Sequence, residues 1–524
     1  MTRPLGAQIP QMLNMRGVDL IFGIPGVHNQ ELYRGIEEAG ITHVLARHEQ
    51  GAGFMADGYA RASGKPGVAF VITGPGLCNI MTPMGQAYSD SVPLLVVSSC
   101  LDEIAHRRGQ LHQMKDQEIA AGTVCDWSHT ALSADAAYGL IDRAFEEFES
   151  QRKRPKHIQV PIATLGAEAE DPPFPVLPSV RAETAMPDIG PVLSLLKVAR
   201  RPLFIFGGGA GGGMWRQVLN QTGAACFTTY AGRGTAFTGY PLDFGSTLAR
   251  PGSAEVIASA DLVVAVGTEL AEVDLWRDHL GNSATLVRVD IDPAVLGDEH
   301  RAAVKLLGDA QGVCTALWKA TESFTPATGW SNEEVAKARM DWKAETDAER
   351  PGIVPICDAL SSALPPETMV FSDMTQFAYV AKEVWPMPGP GLWHHPYGFG
   401  TLGYALPAGI GGAIARPGKP TMVIAGDYGF QYTLQELGVA VELGLPLPIL
   451  LWDNAKLKEI EDSMVRSQIA PNAVIARNPD FCKLAEAYGA ASAEPSSVEE
   501  LVQTVQDAFA ANGPTLIRVT PGLA

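Results

Sequence analysis

Cysteine is scarce in this chain of 524 residues. The seven cysteines are Cys78, Cys100, Cys125, Cys226, Cys314, Cys357 and Cys482. None stands in a Cys-x-x-Cys pair or at a metal-ligand spacing. Their odd number fits reduced, buried thiols better than a disulfide framework. We therefore predict a cytoplasmic protein.

Long apolar runs and excess positive charge are also missing. Every apolar run stops well short of about 18 residues, and the first ten residues contain no apolar signal core. The sequence thus predicts no membrane span. The net charge of −19 and the pI near 5.0 argue against nucleic acid or an anionic membrane as a partner. Small-molecule substrates remain open.

The composition is that of an ordinary globular enzyme, with 46% hydrophobic and 19% charged residues. Short apolar runs alternate with segments of helical spacing, which predicts parallel sheets covered by helices. Polar stretches at 168–188 and 321–349 are typical of linkers. We predict an α/β fold of three doubly wound parallel-sheet domains, at residues 1–170, 188–325 and 350–524.

The most informative stretch is TMVIAGDYGFQYTLQELGVAVELGLPLPILLWDNAKL, residues 421–457. One predicted strand ends at Gly426-Asp427, a helix is expected from about Thr433, and a second strand ends at Asp453-Asn454. Because the carboxyl ends of neighbouring strands lie side by side, Asp427 and Asn454 can present oxygen ligands to one Mg²⁺ ion. Taken singly, either residue is more simply explained by a helix cap or a turn.

Together, this spacing resembles the Gly-Asp…Asn diphosphate motif of thiamine diphosphate enzymes. The resemblance implies Mg²⁺ ligation by Asp427, Asn454 and the carbonyl of Lys456, with the diphosphate bound against the whole loop. The loop residues given this role are Gly426, Asp427, Tyr428 and Gly429. Two departures stand out, since Tyr428 replaces a common glycine and Asp453 replaces the first of two asparagines. The N–H of residue 428 is still expected to face the phosphate.

A second motif is RHEQGAGFMADGYARASGKPG, residues 47–67, in which Glu49 closes a predicted strand and precedes a helix of small residues. A partly desolvated carboxyl in such a place can hold or release a proton. Thiamine diphosphate needs one carboxyl at N1′ of its pyrimidine to form the reactive C2 carbanion. A lone glutamate would more simply be a surface acid or a helix cap.

The context of Glu49 resembles the acetolactate synthase and 2-oxo acid decarboxylase family, over nearly the whole chain. Matching segments are FGIPGVHNQELYRG (22–35), TGPGLCN (73–79), QAYSDSVPLL (86–95), SDMTQFAY (372–379) and GFGTLGYALPAGIG (398–411). The resemblance implies a pyrimidine-binding domain, a central Rossmann-like domain and a diphosphate-binding domain. It also implies cofactor contacts at Pro25, Glu49, Thr73, Pro75, Asn79, Met374, Thr375, Gln376, Gly400 and Leu402. Leu402 would be the apolar residue that wedges the cofactor into its V shape.

In this family each active site takes its glutamate and its metal loop from different subunits. The resemblance therefore implies a homodimer or a homotetramer with active sites between subunits.

The run FIFGGGAGGG (204–213) contains Gly-x-Gly-x-x-Gly at Gly207, Gly209 and Gly212. The acidic residue about 20 positions on that would confirm a dinucleotide site is missing, so we favour a tight turn into a helix. Acetolactate synthases bind FAD in this domain, but their flavin-contacting segment reads GTELAEVD (267–274) in this chain. FAD is therefore unlikely.

The predicted reaction is thiamine diphosphate and Mg²⁺ dependent decarboxylation of a 2-oxo acid to an aldehyde. Glu49, His28, Gln113, Glu461 and Leu402 are the candidate catalytic residues. Within the family the resemblance is nearest to decarboxylases of 5-guanidino-2-oxopentanoate, and acids in KLKEIEDSM (456–464) could pair with its guanidinium. Three alternatives stay open: an acetolactate synthase-like carboligase, a flavin or nicotinamide oxidoreductase, and a binding protein without activity.

Overall fold

Three parallel sheets organise the chain, and their central strands are buried on both faces. The computed structural model describes residues 3–102, 108–174, 187–236 and 238–523. Each sheet is covered by helices, as expected when parallel strands are joined by crossover helices. The predicted architecture of three parallel-sheet α/β domains is confirmed. The domain boundaries stay a prediction, and residues 175–186 of the first expected linker lie outside the described residues.

The first sheet has six parallel strands in the order β3-β2-β4-β5-β7-β6. The strands of this part of the chain are β1 (Arg3–Pro4), β2 (Leu20–Gly23), β3 (Thr42–Leu45), β4 (Gly67–Val71), β5 (Leu94–Cys100), β6 (Trp127–Thr130), β7 (Lys156–Pro161) and β8 (Glu168–Ala169). The helices are α1 (Leu5–Met15), α2 (Gln30–Arg34), α3 (Glu49–Ser63), α4 (Pro75–Ser89), α5 (Gln117–Gly122), α6 (Ala134–Ser150) and α7 (Ile162–Gly166). Strands β1 and β8 pair antiparallel outside the main sheet.

The second sheet has five parallel strands in the order β10-β9-β11-β12-β13. These strands are β9 (Pro202–Phe206), β10 (Ala225–Thr228), β11 (Leu262–Val266), β12 (Thr285–Asp290) and β13 (Val304–Leu307). The helices are α8 (Gly190–Val198), α9 (Trp215–Thr222), α10 (Ser253–Ser259), α11 (Glu272–Leu275), α12 (Pro293–Leu296), α13 (Ala310–Ala320) and α14 (Asn332–Glu349). A 3₁₀ turn, Gly208–Ala210, follows β9 in the glycine-rich run, and α9 starts only after Gly212 and Gly213, both at positive φ.

The third sheet has six parallel strands in the order β15-β14-β16-β17-β19-β18. These strands are β14 (Met369–Ser372), β15 (Trp393–His394), β16 (Thr421–Gly426), β17 (Pro448–Trp452), β18 (Ala491–Ala493) and β19 (Thr515–Val519). The helices are α15 (Ile353–Ala363), α16 (Gln376–Val384), α17 (Ala405–Ala415), α18 (Asp427–Thr433), α19 (Leu437–Glu442), α20 (Lys458–Arg466), α21 (Phe481–Tyr488) and α22 (Val498–Ala508), with a 3₁₀ turn at Leu434–Glu436.

The helix after the metal loop begins six residues earlier than the sequence suggested. We expected it from about Thr433, but α18 starts at Asp427 itself. The carboxylate of Asp427 accepts the N–H of Tyr428 at 2.9 Å, and an acid in the first turn also suits the helix dipole. Within the described ranges, no helix combines the length and the apolar character needed to cross a membrane.

The first and third domains are joined by close packing of α3 on α17. A Cβ atom added to Gly58 would lie 1.9 Å from the carbonyl oxygen of Ala408, and one added to Gly411 would lie 1.9 Å from that of Met55. Only glycine permits this approach of two helix backbones. The adjoining side chains form a buried network, in which Asp57 accepts hydrogen bonds from Arg61 and Tyr404.

We expect Gly58→Ala to destabilise the protein, because its methyl group would overlap the backbone of α17. Overpacking of this kind costs about 1–3 kcal/mol. Gly139→Ala is the matched control, since Gly139 also lies inside a helix but a Cβ there has nothing within 4 Å. That change should be neutral or stabilise by about 0.5–1 kcal/mol. Urea unfolding of both variants measures the difference, and equal stabilities would contradict the packing argument.

Candidate active site

Glu49 and Asn79, two of the predicted cofactor contacts, lie together at the end of the first sheet. Strand β3 ends at Leu45, and α3 begins at Glu49 after His48, whose side chain accepts the N–H of Gln50 as a cap. The Oε2 atom of Glu49 accepts a hydrogen bond from Nδ2 of Asn79 at 2.9 Å. One carboxylate oxygen is thereby oriented by α4, which leaves the other without a protein donor among the described residues.

The loop before α4 is held by a buried polar network. Thr73 is buried, and its Oγ1 lies 2.7 Å from Oγ of Ser99. The N–H of Gly74 donates to Oε1 of Gln117 at 2.9 Å. Gly74 has a φ of 70°, and a Cβ there would meet the carbonyl of His112 at 2.4 Å, so glycine is required. The predicted contacts Pro25 and Pro75 are both exposed.

His28, a candidate for proton transfer, contacts a second histidine, His112. The rings of His28 and His112 are 4.9 Å apart in an edge-on arrangement. Burial and the neighbouring His112 lower the pKa of His28, so its imidazole is neutral near pH 7. Among the described residues, neither Nδ1 atom has a hydrogen-bond partner. Gln113 follows His112 directly and bonds within its own loop, where its Oε1 accepts the N–H of Gln110.

Asp373 fixes the geometry of the diphosphate segment. Its buried carboxylate accepts the N–H of Met374 and the N–H of Gly403, both at 2.9 Å. Burial raises the pKa of Asp373 to about 6, while these N–H donors act in the opposite direction. A Cβ on Gly429 would lie 2.5 Å from the same carboxylate. The carboxylate of Asp373 therefore contacts three segments: the backbone at Met374, the turn beside Leu402, and α18, which begins at Asp427.

The predicted metal residues meet at the carboxyl ends of β16 and β17, where Gly426 pairs with Trp452. Asp427 is buried, and its Oδ2 accepts Nδ2 of Asn478 at 2.6 Å. Burial raises the pKa of Asp427, the Asn478 amide lowers it, and the nearby Asp453 raises it again. The N–H of Tyr428 bonds to Asp427, so a phosphate contact at that N–H stays a prediction.

Asp453, the unusual residue of the motif, is charge-compensated. Its Oδ2 accepts Nε of Arg518 at 2.7 Å, and its Oδ1 accepts Nδ2 of Asn478 at 2.8 Å. Arg518 lies on β19, which pairs with β17. The carboxylate at 453 therefore points into a network of donors, and its extra charge is matched by a guanidinium.

Asn454 and Lys456 lie in one tight loop. The Oδ1 atom of Asn454 accepts the N–H of Lys456 at 3.1 Å, and Ala455 between them has a φ of 56°. The Nδ2 atom of Asn454 donates to Oε1 of Gln376 at 3.0 Å. This contact joins the metal loop to the first residue of α16, next to Thr375.

The acids of α20 are already paired. Glu459 receives a two-pronged contact from Arg350, at 2.9 and 3.0 Å, and another bond from Gln376. Burial raises the pKa of Glu459, but the Arg350 guanidinium outweighs it and holds that pKa below its ordinary value. Glu461 lies 3.2 Å from the ammonium groups of Lys456 and Lys458, and these lysines lower its pKa.

These residues fit a magnesium diphosphate group. The side chains of Asp427 and Asn454 and the carbonyl of Lys456 are hard oxygen donors, which is the ligand type that Mg²⁺ prefers. Gly426 and Gly429 keep the loop open, since a Cβ at 426 would press on Thr375 at 3.0 Å. Within the described residues, no group of three or more His, Cys, Asp or Glu could hold a metal. The metal ligands predicted from the sequence are one carboxylate, one side-chain amide and one backbone carbonyl, so they would not form such a group.

Sequence reasoning missed Glu436, which connects the third domain to the start of α3 within one chain. This buried residue follows α18 in the third domain, and both of its carboxylate oxygens accept the N–H of Arg47, at 3.2 and 3.1 Å. Arg47 lies two residues before Glu49. A Cβ on Gly51 would lie 2.2 Å from Oε1 of Glu436, so the contact depends on that glycine. Glu436 therefore fixes the start of α3.

Asn478, Asp373 and Arg518 were also missed as site residues. Asn478 contacts Asp427 across 51 positions, and Arg518 reaches Asp453 across 65. No local pattern predicts such pairings, because they depend on which strands become neighbours in the sheet. The only usable signal was the unexpected acid at position 453, which requires a counter-charge if it is buried.

Comparison with known families matches all three domains. Residues 3–119 match the N-terminal thiamine pyrophosphate (TPP, or thiamine diphosphate) binding domain of thiamine pyrophosphate enzymes. Residues 189–317 match their central domain, and residues 373–519 match their C-terminal TPP binding domain. The chain belongs to the thiamine pyrophosphate enzyme family. It is a thiamine diphosphate-dependent enzyme of the carboxy-lyase or carboligase type.

Individual relatives of this chain include a decarboxylase and acetolactate synthases. A probable 2-ketoarginine decarboxylase of Pseudomonas aeruginosa is 43% identical, over 99% of this chain and 94% of its own length. An acetolactate synthase of Mycobacterium bovis is 28% identical over 97% of this chain and 86% of its own. The large subunit of acetolactate synthase isozyme 2 of Escherichia coli is 26% identical over 98% and 95%.

The pH dependence of stability tests the burial of Glu436. Burial raises the pKa of this carboxyl to about 7, above its ordinary value near 4.3. The folded state then holds a proton that the unfolded state releases, so Glu436 makes stability fall as pH rises from about 4.5 to 7. Glu436→Gln should remove this part of the fall, as measured by urea unfolding at pH 5 and pH 8.

Glu442→Gln is the matched control for Glu436→Gln. Glu442 also contacts Arg47, but it does so through the arginine side chain, and its own side chain is 61% exposed. Exposed ion pairs contribute about 0–1 kcal/mol. The control should therefore keep the pH profile of the parent protein. If both variants kept it, Glu436 would not be the titrating group.

Proposed function

We propose that the protein decarboxylates a 2-oxo acid without oxidation and releases the aldehyde, and that 5-guanidino-2-oxopentanoate, also called 2-ketoarginine, is its substrate. The substrate proposal rests on the 43% identity to a probable 2-ketoarginine decarboxylase, which extends over 99% of the chain. The acetolactate synthases share less identity over a similar span. They support carboligation as the alternative to aldehyde release.

Thiamine diphosphate and Mg²⁺ are proposed as the cofactors. When bound, thiamine diphosphate supplies a nucleophilic carbon for the keto group and an electron sink for the pair left behind by CO₂. Asp427, Asn454 and the carbonyl of Lys456 would hold Mg²⁺. Gly426, Tyr428, Gly429, Met374, Thr375 and Gln376 would surround the diphosphate, and Gly400 and Leu402 the thiazolium. Pro25, Thr73, Pro75 and Asn79 would line the pyrimidine side.

Glu49 would exchange a proton with N1′ of the pyrimidine. Its hydrogen bond to Asn79 fixes Oε2 at 2.9 Å, while Oε1 lies near Gly76 at the start of α4. Asn79 is thus a positioning residue for this step. Glu436 also helps to place Glu49, because it accepts the backbone N–H of Arg47, two residues before Glu49.

A second proton must reach the former keto carbon, since decarboxylation replaces the carboxylate by hydrogen. His28 is our candidate for that proton, with Gln113 as a nearby hydrogen-bond donor. The ring of His28 keeps a buried Nδ1 without a partner among the described residues, so it can accept or relay a proton. Glu461 would act as a charged carboxylate rather than as an acid, because Lys458 and Lys456 lower its pKa.

A substrate guanidinium would have to compete with the side chains of this chain for the acids of α20. Glu459 is bound to Arg350, and Glu461 to two lysines. We therefore place neither acid as a ready-made binding site for the substrate tail in the single chain. A homodimer or homotetramer with sites between subunits, as the family implies, would add residues of a second copy around the same pocket. A cytoplasmic location also stays a proposal.

A comparison of Asp427→Asn with Asp453→Asn tests the metal assignment. For the parent protein, Mg²⁺ and thiamine diphosphate at about 100 times their Kd should add about 2.7 kcal/mol of stability. Asp427→Asn should lose this gain, because it removes the only carboxylate ligand. Asp453→Asn should keep it, since Asp453 bonds to Arg518 and Asn478 instead. Thermal unfolding with and without both ligands measures the effect, and loss in both variants would count against the assignment.

The activity is tested by CO₂ release and product mass with a panel of 2-oxo acids, in the presence of thiamine diphosphate and Mg²⁺. We expect 4-guanidinobutanal from 5-guanidino-2-oxopentanoate, and a preference for this acid over pyruvate. Glu49→Gln should reduce kcat by about 10²–10⁴-fold, as for loss of an acid–base group. The exposed Glu37→Gln is the control and should keep full activity. Acetolactate from pyruvate would instead identify a carboligase.

A further inference from the structure

A cavity of about 70 Å³ lies between the second and third domains. Its walls come from the end of β10, from the loop that follows it, and from residues 383–387 at the end of α16. None of the residues proposed for the cofactor or the substrate lines it. The cavity is therefore a place in the fold that the proposed reaction does not use.

Arg233 lines this cavity and is almost completely buried, with 5% of its surface exposed. Its Nη1 donates to the carbonyl oxygen of Ala381 at 3.1 Å, and its guanidinium lies 4.4 Å from the centre of the Trp393 ring. The Nε and Nη2 atoms have no hydrogen-bond partner among the described residues. Burial lowers the pKa of Arg233 to about 10, which leaves it a cation at neutral pH.

Other buried arginines in the chain show how such a charge is normally satisfied. Arg61, Arg250 and Arg288 each form an ion pair with a carboxylate at 2.5–2.8 Å. Arg277 has no acid in contact within the described residues, but it donates to four backbone carbonyls and a serine hydroxyl. By comparison, the guanidinium of Arg233 contacts one carbonyl oxygen and the face of one aromatic ring. A buried charge with so little compensation is costly.

Further hydrogen-bond donors also line the cavity. Thr228, Thr238 and Ser246 bring hydroxyl groups, and Arg339 brings a second guanidinium. Of these hydroxyls, Thr238 donates to the carbonyl of Met387 and Ser246 to that of Lys382.

The two acids of the wall are already engaged. Asp243 accepts the N–H of Gly245 at 2.7 Å, and burial raises its pKa. Glu383 accepts hydrogen bonds from Arg250, Thr346 and Tyr230. No described acid of the wall forms an ion pair with Arg233.

We propose that this cavity binds a small monovalent anion, a carboxylate the size of acetate or bicarbonate or a halide, as the counter-charge of Arg233. A small anion fits, because about 70 Å³ is several times the roughly 10–15 Å³ of such space that one water molecule needs. The bound anion would join the second domain to the end of α16, whose first residue, Gln376, contacts Asn454.

The test is thermal unfolding of the holoenzyme at constant ionic strength, with sodium gluconate as the bulky reference salt. Gluconate is replaced stepwise by acetate, bicarbonate or chloride, which separates a carboxylate site from a halide site. We expect at least one of the three to raise Tm saturably, by roughly 1 °C at ten times its Kd. Arg233→Met should abolish the rise, and Arg233→Lys should retain part of it through the same charge.

Arg277→Met is the control, since Arg277 is a partly buried arginine of the second domain that also contacts no acid among the described residues. Its Tm should fall, but the rise with the anion should persist. If Arg233→Met does not fold, Arg339→Gln serves instead and should raise the anion concentration at half-saturation about tenfold. A parent Tm that none of the three anions changes would overturn the proposal, as would an equal rise in the parent and in Arg233→Met.

Discussion

The approach of helix α3 to helix α17 is the contact on which the rest of the site depends. Two glycines, Gly58 and Gly411, allow the helix backbones to touch. This contact brings the first domain against the third closely enough for Glu436 to reach the backbone at Arg47. The residue proposed for acid–base chemistry, Glu49, thus begins a helix whose two ends are both held by the third domain.

Within the third domain, buried carboxylates hold the loops in place. Asp373 binds backbone N–H groups on two loops, and Asp453 binds Asn478 and Arg518. Each of these acids is buried because donors surround it, and each donor group belongs to a different segment. These hydrogen bonds connect the loops to one another. Pre-organisation of this kind suits the binding of a charged cofactor, whose own solvation must be replaced by the protein.

Local patterns predicted the sheets, the first metal-loop strand and the helix after Glu49, because strand burial and small-residue helices leave periodic signals. They failed where distant segments meet. Asn478, Arg518 and Glu436 lie 51, 65 and 389 positions from their partners. The pairing of Glu459 with Arg350 was equally invisible, so α20 read as a patch of free acids. The charge of a segment depends on its neighbours in space.

The pair of Asp453 and Arg518 bears on how relatives of this protein are recognised. A motif search that demands asparagine at the first position would reject this chain, although a compensating cation stands on the adjacent strand at 2.7 Å. The two positions should therefore vary together across relatives, with an acid at one accompanied by arginine at the other. A search pattern that scores the two sites jointly would find diverged enzymes that a single-site pattern overlooks.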